Sequence, residues 1–335
     1  MARTLSRRDM LRSLGVLGLT LGAGSLPVTA FAAPGTKRHS RTALLMGTFV
    51  TVTVAHPSGD FADEAAGRAF EAIRAELPVF DGHDRSSALS VLNRDGELAA
   101  PPPQMVSLME AAANWHRSTD GAFDPSVTPL VSLFREAAAK GVEPDRQEVR
   151  QALELVHAER IVVSGQRLAL GCDMAVTLDG IAKGALVDRA SEVMSDFGAS
   201  THLINAGGDI RARTDSDHRS WRVAVQSPDG GEYPAVTRLR NGAVASSGSY
   251  ESLRPEAGGF AHLLDPRTGY PCRTAAGVTV IARNAAEADA LSTAVYVLGP
   301  RNGLQLVRSR PGTECLILGP DGTELRSSGF DRVAI

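Results

Sequence analysis

Residues 48–54 read Thr-Phe-Val-Thr-Val-Thr-Val. Polar and apolar positions alternate there with a period of two, which predicts a half-buried strand, because successive side chains of a strand point to opposite faces. The period then changes. Phe61, Ala65, Ala69, Ile73 and Leu77 recur at near-helical spacing over residues 60–77, as do Met105, Leu108, Met109, Ala112 and Trp115 over residues 105–117; both predict amphipathic helices whose apolar stripe packs on a core. Between them Leu-Ala-Ala-Pro-Pro-Pro at 98–103 predicts a stiff connector of polyproline character ending just before the second helix. A further helix with a charged outer face is expected over 144–156. From residue 160 onward, strands are expected at 160–163, 167–170, 202–205, 221–225, 244–246, 262–264, 277–282 and 315–318. Helices are expected over 182–197 and 287–297, with another segment at 302–309. Strict βαβ repetition is absent, so the fold class is α+β, mixed sheets with packed helices, in preference to a doubly wound parallel sheet. No internal repeat or low-complexity tract is found.

The N-terminus breaks this pattern. Ser6-Arg7-Arg8-Asp9-Met10-Leu11-Arg12 places an arginine pair before an apolar run at 14–24 that is short and Gly-rich for a membrane span, and Ala30-Phe31-Ala32 offers small residues at a cleavage site. This resembles a twin-arginine signal peptide over residues 1–32, followed by a flexible linker at 33–40 and one domain at 41–335. The expected destination is the periplasm or another exported location. Cleavage removes a net +3 and takes the formal charge from −3 to −6. With 335 residues the chain is long enough for a large core, which excludes a small disulfide scaffold. Its near-balanced charge and its 4 Tyr and 2 Trp argue against a nucleic-acid partner or a base-stacking platform. Cys172, Cys272 and Cys315 have no C-x-x-C spacing, so three structural thiols are expected and one disulfide at most.

Four segments and one residue pair stand apart as chemistry. Asp179-Gly180-Ile181-Ala182-Lys183-Gly184 puts a lysine between small residues immediately before a helix, a composition that lets backbone approach a phosphate closely, although it is not a Walker loop. Asn205-Ala206-Gly207-Gly208-Asp209 and Ala245-Ser246-Ser247-Gly248 follow strands and read equally as tight turns or ligand-facing loops. In His262-Leu263-Leu264-Asp265-Pro266-Arg267-Thr268-Gly269 a base, an acid and a guanidinium fall within six residues, and His262 can take a proton near neutral pH or simply be hydrogen-bonded beside a turn. Asp289 and Thr293 lie four apart on one helix face, where their oxygens suit a hard cation such as Mg²⁺, or a plain helix surface. Clustered histidines and H-E-x-x-H are absent, which argues against zinc.

Taken in order, these segments resemble the FAD:protein FMN transferase (ApbE-like flavin transferase) family. Met46-Gly47-Thr48 is similar to its opening M-G-T, residues 87–93 to S-x-L-S-x-x-N, and residues 121–130 to G-x-F-D-P-[ST]-V-x-P-L. Gly180-Ile181-Ala182-Lys183-Gly184 with Asp188, the 205–209 turn, Ser247-Gly248, residues 262–269 and Ala288-Asp289-Ala290-Leu291-Ser292-Thr293 complete the series. The resemblance spans nearly the whole mature chain. It implies an α+β, T-fold-related architecture that holds FAD, with Mg²⁺ at the diphosphate, and moves FMN onto a Ser or Thr hydroxyl of a membrane or periplasmic electron-transfer protein, releasing AMP. Carried over residue by residue, Met46, Ala122, Phe123, Asp124, Lys183 and Leu263 would contact FAD. Asp289, Thr293 and the Gly180 carbonyl would hold Mg²⁺, and His262 would be the base. Thr177 stands at the family's usual aspartate position, with an added carboxylate at Asp179, and His83 stands where an aromatic often lies near the flavin. The run Thr177-Leu178-Asp179-Gly180-Ile181-Ala182 is similar to the branch that serves the nitrous oxide reductase system. Two other readings share the site: an FAD pyrophosphatase giving free FMN and AMP, and a non-catalytic periplasmic FAD carrier.

Overall fold

The computed structural model describes residues 29–30, 37–215, 220–228, 231–248 and 263–335. Its spine is an eight-stranded sheet: β1 (Arg38–Leu45), β2 (Thr48–Ala55), β3 (His202–Ala206), β4 (Asp209–Arg213), β5 (Gly242–Gly248), β6 (Gly277–Ala282), β7 (Glu314–Leu318) and β8 (Glu324–Arg326). The strands lie side by side in chain order, and every neighbouring pair is antiparallel. The architecture is the α+β arrangement expected. An antiparallel meander needs no crossover helices, so the helices enter as insertions. Six of them, α1 (Gly59–Phe80), α2 (Ala88–Asp95), α3 (Pro103–Ser118), α4 (Thr128–Ala139), α5 (Arg146–Leu153) and α6 (Ala182–Asp196), lie between β2 and β3; α7 (Ala285–Arg308) lies between β6 and β7.

The period-two pattern sorts the sheet into two faces. Val50, Val52 and Val54 of β2, Ile204 and Ala206 of β3 and Val278 and Val280 of β6 pack against α1, α6 and α7. Their neighbours Leu203, Val244, Ile281 and Leu316 point the other way, onto Trp221, Val223 and Leu239 of a small sheet that contains strands Trp221–Ala224 and Val236–Leu239. Each fully buried Val, Leu or Ile stabilises the fold by about 1.5–3 kcal/mol relative to exposure. Buried Ala62, Ala65, Ala66 and Ala69 give α1 a smooth face toward the sheet and α6. A second apolar cluster joins α2 and α3 to the start of α6 and the middle of α7, and Met46 touches both clusters from the β1–β2 turn.

Several local expectations are revised by tertiary pairing. The expected linker at 33–40 yields from Arg38 to β1, whose polar side chains find partners across the hairpin: Ser40 on Thr53 and Thr42 on Thr51, both at 2.9 Å. The connector at 98–103 starts as strand Glu97–Ala99, paired with Arg167–Ala169, and helix α3 begins at Pro103. Residues 158–160 form a 3-10 turn, leaving only Val162–Val163 as strand. The segments at 287–297 and 302–309 belong to one helix, bent where Gly299 leaves helical geometry beside Pro300. Helices α2 and α4 have no counterpart in the predicted elements. Of the expected strand at 262–264, His262 lies outside the described residues, Leu263 is not strand, and Leu264 is, in the pair Leu264–Asp265 with Tyr270–Pro271. The expected signal peptide lies outside them too, except Thr29–Ala30, which pair with Arg222 and Trp221. All three cysteines are unpaired. Among the described residues no helix is long and apolar enough to cross a membrane.

Candidate active site

Helices α6 and α7 begin side by side, and the sequence arranges this through one glycine and one aspartate. A Cβ on Gly184 would stand 2.4 Å from the Ala285 carbonyl oxygen and 2.7 Å from the Ala286 nitrogen, so only glycine permits the approach. One turn on, the Asp188 carboxylate accepts the Ala285 and Ala286 N–H groups at 2.9 Å each, capping the start of α7. Burial pushes the Asp188 carboxyl up, while those amides and Arg211, at 3.4 Å, pull it back. From α7 the buried Asp289 returns the contact: its Oδ2 accepts the Gly184 N–H at 3.1 Å.

Thr293 lies one turn beyond Asp289 and faces the turn that enters α6. A Cβ on Gly180 would meet Thr293 Oγ1 at 3.2 Å and the Phe123 ring at 3.1 Å, so these three residues converge on one spot. The segment leading there is fastened at several points. The Asn93 side chain donates to the Val176 carbonyl at 2.8 Å and accepts its N–H at 2.7 Å; Thr177 N–H donates to the Pro125 carbonyl at 2.8 Å, and Thr177 Oγ1 accepts the Asp179 N–H at 3.1 Å. Thr177 is therefore used locally, tying this segment to the loop that carries residues 122–124.

Lys183 reaches the second hairpin. Its Nζ lies 2.8 Å from Oδ2 of Asp209, whose side chain is 2% exposed against 29% for the lysine. Burial pushes the Asp209 carboxyl up and the Lys183 ammonium opposes this. Asp209 starts β4 after the Gly207–Gly208 turn, where Asn205 Oδ1 accepts the Gly208 N–H at 3.0 Å. Gly207 has φ +63° and lies so close to Thr48 of the Met46-Gly47-Thr48 turn that a Cβ would meet the threonine Oγ1 at 2.6 Å. The first and second hairpins thus meet tip to tip.

The remaining wall is the loop after α3. Phe123 is buried and its N–H donates to Thr119 Oγ1 at 3.0 Å; Ala122 is buried beside it. Asp124 Oδ1 accepts the N–H and the hydroxyl of Ser126, at 2.7 and 2.6 Å, while Oδ2 lies 3.0 Å from His116 Nδ1. Arg267 clamps Asp265 with two contacts of 2.8 Å and rests against Gly121, bringing the hairpin after Leu263 to the same loop. Leu263 is half-buried, and its carbonyl accepts the Cys272 N–H at 3.0 Å.

The structure therefore unites Ala122, Phe123, Asp124, Thr177, Gly180, Lys183, Asp289 and Thr293 in one connected set, with Met46 and Leu263 on adjoining turns. His83 is exposed on the turn after α1, where its N–H donates to Asp81. A groove of about 580 Å³ bounded by Arg94, Arg167, Cys172 and Asp173 contains none of the expected site residues. Carboxylate, hydroxyl and carbonyl oxygens at Asp289, Thr293 and Gly180 form a donor set of the hard type that Mg²⁺ takes while keeping waters. Among the described residues no group of three His, Cys, Asp or Glu side chains is placed to hold a metal ion. Two charged partners escaped the predicted site set: Asp209, which the Asn205-Ala206-Gly207-Gly208-Asp209 run already displayed, and His116, which no motif marks.

The ApbE family model matches residues 46–317. The FAD:protein FMN transferase of Treponema pallidum is 29% identical, over 89% of this chain and 90% of its own length; that of Klebsiella pneumoniae is 31% identical, over 89% and 88%. The crystal structure of the ApbE protein from Thermotoga maritima superposes with a TM-score of 0.80 at 28% identity, covering 89% of this chain and all of the other.

Proposed function

Because the chain belongs to the ApbE family, we propose that it transfers the FMN half of FAD to a Ser or Thr hydroxyl of an exported or membrane-bound redox protein and releases AMP. The observation that carries this reading is the meeting of Phe123, Gly180 and Thr293, with Asp289 on Gly184 one turn away, at the paired starts of α6 and α7, and Lys183 in the first turn of α6. Lys183 sets an ammonium at the start of α6 beside carboxylate and hydroxyl oxygens of α7, an arrangement that suits a diphosphate held together with a cation.

Each residue has a task in that reaction. Lys183 balances charge on the diphosphate, and its pairing with buried Asp209 holds the flexible side chain in one direction. Asp289, Thr293 and the Gly180 carbonyl would hold Mg²⁺, which when bound supplies Lewis-acid neutralisation of the phosphate oxygens. Met46, residues 122–124, Thr177 and Leu263 border the nucleotide. His262 takes the proton of the acceptor hydroxyl as its oxygen bonds to the FMN phosphorus; the bond from that phosphorus to the bridging oxygen breaks, and AMP leaves with the electron pair. The arginine pair Arg7-Arg8 ahead of its apolar run supports export by the twin-arginine route before this chemistry takes place.

Incubation of the mature chain with FAD, Mg²⁺ and a periplasmic extract tests the reading, with intact mass and in-gel fluorescence for covalent FMN and chromatography for AMP. Labelled acceptor and AMP in equal amounts, both abolished by EDTA, are expected. AMP with only free FMN would replace the transferase by a pyrophosphatase. Bound FAD without AMP would make the chain a carrier.

A further inference from the structure

The loop expected to border FAD is built around a buried carboxylate with a partner that lies outside every recognised motif. Both Asp124 oxygens are in use: Oδ1 takes the Ser126 N–H and hydroxyl, and Oδ2 faces His116 Nδ1 at 3.0 Å. The Asp124 side chain is 5% exposed and His116 is 22% exposed. His116 sits in the last turn of α3, and its carbonyl accepts the Gly121 N–H at 3.0 Å. Thr119, also buried, donates its hydroxyl to the Trp115 carbonyl at 2.7 Å and accepts the Phe123 N–H at 3.0 Å. With the Ala122 N–H donating to the Thr119 carbonyl at 3.1 Å, residues 121–124 are fastened to the end of α3 at four points, and the one between ionisable groups is His116 to Asp124.

We propose that His116 is a positioning residue of the flavin-nucleotide site: it holds the Asp124 carboxylate, and with it the backbone of residues 122–124, in the orientation that receives FAD. The inference rests on the proposed function, in which those residues border FAD. The pair acts through charge more than through alignment, because Nδ1 and Oδ2 are close without the straight geometry of an ideal hydrogen bond. A buried carboxylate that loses its cationic partner keeps its desolvation cost, so it turns toward solvent or takes up a proton, and either response moves the loop.

The surroundings support an imidazolium. The contact with Asp124 holds His116 above the usual histidine range against the opposing effect of burial, and Glu159 adds to it from the 3-10 turn. Position at a helix C-terminus acts in the same direction. The other charges facing this corner are Arg267, whose side chain lies on Gly121 as the His116 ring does, its partner Asp265, and Asp120, which acts on Arg267. Arg267 is engaged by Asp265 through both oxygens, leaving His116 as the basic group in contact with Asp124.

Steady-state kinetics of AMP release with FAD varied, run from acid to alkaline pH on the full mature chain, test the role. His116→Ala is expected to raise KM for FAD about tenfold, the scale of one charge-assisted contact, with kcat changed less than about twofold. His116→Asn, which restores a donor near Nδ1 without charge, is expected to recover part of the affinity. Wild-type KM should rise as pH passes upward through the His116 titration, and that rise should be missing in His116→Asn. Equal KM in wild type and both variants would overturn the inference, as would a fall in kcat at unchanged KM or a pH profile identical in wild type and His116→Asn. Should His116→Ala fail to fold, His116→Asn decides alone through its pH profile. A wild-type chain that releases AMP while the variants match it refutes only His116, whereas one that neither binds FAD nor releases AMP overturns the parent reading with it.

Discussion

His202 and His116 occupy two regions that treat the same side chain in opposite ways. His202 lies on the sheet, fully buried, with its Nε2 2.7 Å from Ser191 Oγ and its Nδ1 2.6 Å from the Ala199 carbonyl. Its partners are neutral, so burial lowers its pKa from 6.5 to about 4 and it stays uncharged. His116, by the active-site loop, faces a carboxylate and is shifted upward. The contrast extends beyond the two histidines. Trp221 on the same side of the molecule likewise finds an uncharged partner, its Nε1 donating to the Arg213 carbonyl at 3.0 Å. Where α6 and α7 begin, four carboxylates, Asp124, Asp188, Asp209 and Asp289, are mostly or wholly removed from solvent and held by cations or amides. Ions are costly to bury and neutral pairs are not, so the first region is arranged for stability and the second retains charge for chemistry.

The largest effect that would break this division is at Asp289. Asp289→Ala is expected to cut FMN transfer about a thousandfold, the range for removing one electrostatic stabiliser, while the far-ultraviolet circular dichroism remains that of wild type. Unfolding instead would place Asp289 on the structural side. Next is Gly184→Ala, which drives a methyl into the α7 backbone; denaturant titration should show a loss of about 3 kcal/mol, with transfer falling as the helix starts separate. Stability equal to wild type would mean that the two helices are free to part. The smallest effect is the acid response of His202. Between its native value near 4 and its unfolded value of 6.5, only the unfolded chain binds the proton, so stability falls as pH drops through that window. A loss of about 2 kcal/mol between pH 7 and 5 is expected from this group. The slope should flatten in His202→Asn, and an unchanged slope would assign the acid sensitivity to other groups.

Much of this is legible in the chain itself. The alternation at 48–54 marked β2 and its inward valines, and the spacing of Phe61, Ala65, Ala69 and Ile73 marked α1, because period is a local property. Met46, Ala122, Phe123, Asp124, Thr177, Lys183, Leu263, Gly180, Asp289 and Thr293 were legible as a set through ordered motifs, and the fold places them on connected or adjoining segments. β1 is less legible: Arg38, His39 and Ser40 fall in the expected linker at 33–40, and only pairing with β2 makes them strand. The bend in α7 was visible only as a gap between two helical stretches.

The chain alone set the strongly periodic elements, the fold class and the types of oxygen and nitrogen available for phosphate chemistry, since backbone propensity and donor chemistry belong to individual residues and their near neighbours. Tertiary structure alone decided which charges meet. Lys183 is paired with Asp209 because two hairpins touch at Gly207 and Thr48, and Asp188 caps a helix about a hundred residues later because Gly184 lets α7 come within van der Waals reach. His116 and His202 shift in opposite directions for the same reason: burial and the identity of the facing group set a pKa, and both are fixed only when distant segments pack.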